Sequence, residues 1–133
     1  MAIKNYTTKV PASRTAAEIQ EILAEHGARK VMTEYDAGGN PMSVCFEIFG
    51  RTFKLPVRVE AVESLLAEQG VSSSPGRAEM VAWRNVKDWI AAQIAIIEIG
   101  QVTLDEVMLP FMVDAHGHTL YESMPKLLLE GFE

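Results

Sequence analysis

Asp114-Ala115-His116-Gly117-His118 is the stretch of the chain where potential metal ligands crowd together. Imidazole with carboxylate suits zinc or another divalent transition metal. A centre built on Asp114, His116 and His118 would want a further ligand, and nothing adjacent in sequence offers one. A loop with a glycine at its turn needs no metal to form, so the expectation is no metal and no cofactor. Cys45 is the sole cysteine, which excludes an intramolecular disulfide and a cysteine-rich zinc site. As a nucleophile it would need a neighbouring base or a positive environment. Its expected neighbours, Pro56 across the strand with Glu47 and Arg58 beside it, make it a small packing residue instead. His26 closes an apolar stripe in the last turn of a helix, where a cation suits the helix dipole, and reads as structural. No Ser-His-Asp arrangement, phosphate-cradling glycine loop or paired-carboxylate motif stands out, so an enzyme is not the expectation.

Two surfaces remain. On the polar face of a hairpin over 42–59, Phe49, Arg51, Lys54 and Arg58 project on or near one side, with Tyr35 adjacent. Aromatics for base stacking and cations for phosphate make a platform for single-stranded nucleic acid, although a solvated sheet face with a Glu47–Lys54 cross-strand pair needs no ligand at all. The run Leu127, Leu128, Leu129 near the C-terminus suits contact with a protein partner.

Charge weighs against nucleic acid. Residues 1–60 hold eight Lys or Arg against seven Asp or Glu, and residues 61–133 hold four against eleven. The near-neutral first part and acidic second part lack the broad basicity by which proteins neutralise phosphates. At 133 residues, 48% hydrophobic and 23% charged, the chain has the size and composition of one globular domain, spanning 1–133, and not of a disordered or rod-like protein. No run of about 18 apolar residues and no signal-peptide core are present, so a soluble cytoplasmic protein without membrane contact is expected.

These residues must be positioned by an α+β scaffold. Thr15-Ala16-Ala17-Glu18 has capping-box spacing, and Ile19, Ile22, Leu23 and His26 follow at helical intervals up to Gly27, predicting a helix over 15–26. Lys30–Asp36 reads as a strand. Gly50-Arg51 as a type II′ turn would pair Ile48 with Phe53, Phe46 with Leu55 and Val44 with Val57 on an apolar face, and Glu47 with Lys54 and Ser43 with Arg58 on a polar one. Pro56 places strand 52–59 at or near an edge. The outcome is a small antiparallel meander of three strands, or four if residues 3–10 join it. A short helix follows over 60–69. Ser74 and Pro75 then open a long, largely buried helix over 75–99. Its apolar arc includes Trp83, Trp89, Ile90, Ile94 and Ile97 and leaves a narrow stripe of Arg77, Arg84, Lys87, Asp88 and Glu98 for water. So wide an arc means burial in the core or against a second copy, and Trp89 is expected among the most buried residues. Thr103–Glu106 is a second capping box before Pro110. Residues 111–113 and 119–122 read as a hairpin around the 114–118 loop, and 124–130 as a last helical turn.

Ala82-Trp83-Arg84-Asn85-Val86-Lys87-Asp88-Trp89, then Gln93, Glu98-Ile99-Gly100, Leu109-Pro110 and Thr119-Leu120-Tyr121-Glu122 resemble a group of small proteins encoded by phages and prophages of Gram-positive bacteria. Lys4-Asn5-Tyr6-Thr7-Thr8-Lys9-Val10-Pro11, Glu18-Ile19 and Gly27-Ala28-Arg29-Lys30 extend the resemblance over most of the chain. It implies a viral setting and transfers no catalytic residue. The expectation is a non-enzymatic accessory protein that binds a protein partner of replication, recombination or defence machinery. Single-stranded nucleic-acid binding through the hairpin is the rival, and a metal-dependent enzyme is a distant third.

Overall fold

The computed structural model describes residues 3–71, 74 and 76–132, the side chains of 127–132 excepted. Helix α1 spans Ala12–Glu25 and is entered from Pro11, which stands at the cap without a side-chain hydrogen bond. The helix thus begins three residues before the Thr15–Glu18 box, whose side chains are engaged elsewhere: Thr15 Oγ1 and Glu18 both accept from the Arg84 guanidinium. Tertiary contact has overruled a local capping signal. Gly27, at φ +102°, ends the helix in the left-handed conformation that side-chain-bearing residues avoid.

Strands β1 (Lys30–Tyr35), β2 (Pro41–Ile48) and β3 (Arg51–Pro56) form a three-stranded antiparallel sheet in the order β1-β2-β3. Residues 3–10 make turns and do not add a fourth strand. Phe46 faces Phe53, Val44 faces Leu55 and Ser43 faces Pro56, so the hairpin is shifted by two residues from the register expected for a Gly50-Arg51 turn. The turn residues are Phe49 and Gly50, at φ 53° and 78°, the signature of a type I′ turn. Because side chains alternate with period two, a two-residue shift leaves every side chain on the face that alternation assigns. Val44, Phe46, Ile48, Phe53 and Leu55 accordingly point into the core, with the Phe46 and Phe53 rings 5.4 Å apart.

Helix α2 covers Val59–Glu68 and α3 covers Arg77–Glu98 behind Gly76. With α1, α3 packs the apolar face of the sheet. Trp83 is fully buried, and its indole N–H donates to the Pro41 carbonyl at 3.1 Å, fixing α3 to the start of β2. Trp89, expected among the most buried, is only half-buried and meets Phe111 edge-on at 6.0 Å. The charged stripe of α3 is not left to water. Arg84 and Lys87 pair with Glu18 of α1, Asn85 and Asp88 accept from Asn5, and Arg77 donates to the Tyr6 and Thr8 carbonyls. The exposed residues of the last three turns are Ala91, Ala92, Ala95 and Glu98, followed by exposed Ile99 at the C-cap.

Helix α4 (Leu104–Met108) carries the complete Thr103/Glu106 capping box, and a 3-10 turn over Leu109–Phe111 follows. Residues 119–122 are not a strand. Thr119 and Glu122 form a reciprocal cap, with the Glu122 carboxylate accepting from the Thr119 N–H at 3.0 Å and Thr119 Oγ1 accepting from the Glu122 N–H at 3.2 Å. They open α5, Leu120–Phe132. Residues 112–113 also lie along β3, where the Val113 N–H donates to the Thr52 carbonyl at 2.8 Å, and the expected hairpin is reduced to one antiparallel bridge, Val113 with Thr119, across the 114–118 loop.

Candidate functional site: an apolar crevice beside an exposed aromatic turn

The C-terminal ends of α1 and α3 meet over the turn end of the hairpin, and α4 lines a further side. Between these elements lies a crevice of about 180 Å³. Leu23, Phe46, Ile48, Leu55, Ile90 and Met108 supply its buried walls. Trp89, Ile94 and Ile97 of α3 and Leu104 of α4 line it further out. Eleven of the fourteen lining residues are apolar, and the exceptions are His26, Gln93 and Glu98.

His26 and Glu98 tie the ends of the two helices together. His26 Nδ1 lies 2.7 Å from the Ile22 carbonyl and Nε2 lies 2.5 Å from a Glu98 carboxylate oxygen. Both partners only accept, and a neutral imidazole has one N–H, so the geometry calls for the doubly protonated ring. The Ile22 carbonyl first, and then the Glu98 carboxylate, hold the proton on and raise the His26 pKa above its ordinary value. The part assigned to His26 from sequence, a structural cation at a helix end, agrees with this placement; the ion pair to α3 was not legible.

Phe49 lines the crevice at its outer end and is 75% exposed. It is the first residue of the type I′ turn, a position that prefers Asn, Asp or Gly because φ is positive. A residue other than Gly, Asn or Asp there costs about 1 kcal/mol or more.

The other residues expected on the nucleic-acid platform do not gather. Arg51 sits at the turn end opposite Ile48 and pairs with Asp105 of α4 at 3.1 Å. Lys54 is on the opposite face of the sheet and pairs with Glu34 at 3.2 Å. Arg58 is the cap residue of α2 and Tyr35 is the last residue of β1, both at the far end of the hairpin from Phe49. Phe49, Arg51, Lys54, Arg58 and Tyr35 are therefore spread over both ends of the sheet and on different faces.

Cys45 faces Lys54, not Pro56, and its thiol lies 3.5 Å from Glu34. Burial first, and then the Glu34 carboxylate, push its pKa up, which keeps it a thiol and a poor nucleophile. Glu34 itself is held below the ordinary carboxylate range by the Ser43 hydroxyl and by Lys54. In the 114–118 loop, one Asp114 oxygen accepts from the backbone N–H groups of His116 and His118 at 2.8 and 3.0 Å, an Asx turn that engages this oxygen in holding the loop. Among the described residues, no three His, Cys, Asp or Glu side chains converge as a metal site would require. The side chains of Leu127, Leu128 and Leu129 lie outside the described residues. Among the described residues no helix is long and apolar enough to cross a membrane.

The crevice was missed from sequence because it is assembled from four elements distant in the chain. The misplaced turn hid the backbone cost at Phe49, although Phe49-Gly50 between alternating apolar runs was the available signal. Comparison with protein-family models, with curated proteins and with solved structures returns no match for this chain.

Proposed function

We propose that the protein is a non-enzymatic phage accessory protein that works by binding a protein partner, with Phe49 as its protruding contact. The observation that carries this reading is the conformation of Phe49: an aromatic held 75% exposed at a left-handed turn position. A turn selected for stability alone would carry Asn-Gly there. Backbone cost concentrated at an exposed aromatic is the pattern of a side chain retained for contact. The resemblance to phage and prophage proteins supplies the setting and points to partners in replication, recombination or host defence. The pairing of Arg51 and Lys54 with carboxylates favours a protein partner over a nucleic-acid strand.

The test is a pull-down from phage-infected host lysate with wild type and Phe49→Asn. The variant should be more stable by about 1 kcal/mol, from relief of the turn, yet lose the retained protein. Equal retention by both proteins would refute the role of Phe49. Retention of nothing, with nucleotide turnover by the purified protein, would refute the binding reading altogether.

A further inference from the structure

Six walls of the crevice, Leu23, Phe46, Ile48, Leu55, Ile90 and Met108, are each no more than 5% exposed and belong to the core shared by helices and sheet. The shape of the hollow is therefore set by the fold itself and not by a mobile loop, the condition for a preformed ligand site. Its volume of about 180 Å³ is close to that of dry Leu/Ile/Phe cavities, roughly 150 Å³, that take up benzene. A helix or a strand is far too large for it. Of the three polar lining residues, His26 and Glu98 are already spent on each other, leaving the Gln93 amide. A charged ligand would give up its hydration here with no free counter-charge to replace it.

We propose that the crevice is a binding site for a small uncharged molecule of one ring or a short alkyl chain, carrying at most one hydroxyl or amide group that meets Gln93. This goes beyond the contact made by Phe49. It concerns the purified chain alone, so it stands or falls apart from any protein partner.

Benzyl alcohol and benzoate are the probes, titrated into isotope-labelled protein while the indole N–H signals of both tryptophans are followed. Trp89 lines the crevice, whereas Trp83 is fully buried with its N–H on Pro41. Benzyl alcohol should shift the Trp89 signal saturably, with half-saturation at about 1 mM or below, the range open to so few heavy atoms, and leave Trp83 unmoved. Benzoate should bind about ten-fold more weakly or worse. Ile94→Phe and Leu104→Phe each add a ring to the wall and should weaken benzyl alcohol by about ten-fold. A wild-type Trp89 signal that never saturates overturns the proposal, as does equal binding of the two probes. Undiminished binding in a folded Ile94→Phe or Leu104→Phe protein overturns it too. If one of these variants does not fold, the other and the benzoate comparison decide.

Discussion

At the scale of single residues, the His26–Glu98 tie has a definite dependence on pH. The His26 pKa is raised in the folded protein. Its stabilisation is thus fully present below the unfolded value of about 6.5 and is lost as pH rises through the folded value. The melting temperature should fall as pH rises above about 6.5 and through the raised folded value, and Glu98→Gln should lessen that fall by removing the charged partner. Thermal melts of both proteins across this window check it, and parallel pH profiles would count against the tie. The sequence placed His26 at a helix end beside an apolar stripe, and local periodicity can do no more. Its partner stands 72 positions away on α3, and no short-range pattern encodes that distance. The Thr119/Glu122 cap is the opposite case. Its Thr-x-x-Glu spacing was in plain view, but the β-branched and aromatic residues around it favoured a strand over a helix start.

At the scale of elements, α3 shows how much periodicity reveals. Its apolar arc correctly announced a helix packed on more than one side. It did not distinguish the two tryptophans, because a wheel projection has no information on position along the axis. Trp83 lies over the sheet, where Ile19, Val44 and Phe53 are as deeply buried, whereas Trp89 lines the crevice bounded by α1, α3, α4 and the hairpin. Trp83→Ala should therefore cost about 3–5 kcal/mol, and Trp89→Ala about 1–2 kcal/mol, since less of its surface leaves water. Denaturant unfolding of the two variants measures the difference, and equal losses would contradict the depth assigned to each. The hairpin makes the complementary point. Alternation fixes which residues face the core but leaves registers two residues apart equivalent, and the turn conformation chooses between them.

At the scale of the whole molecule, net charge −6 combines with the pairing of Arg51, Lys54, Arg84 and Lys87 to carboxylates. Little counterion release is left to drive association with a polyanion. A fluorescent single-stranded oligonucleotide should show flat anisotropy at low salt up to high protein concentration, and a salt-sensitive rise would restore the hairpin platform. The α+β class and the meander were legible because they follow from local alternation and turn residues. The crevice was not, because it exists only once α1, α3, α4 and the hairpin have met. One consequence of the strand order belongs at this scale too. With β1 outermost and its outer edge unpaired among the described residues, that edge invites an extended chain to add on. Lys30 guards one end and the irregularity between Glu34 and Tyr35 bends the other, so only Val31, Met32 and Thr33 offer a flat template. Steric zippers use segments of about six or seven residues, so this edge offers an incoming strand only about half such a length to pair with in the folded protein.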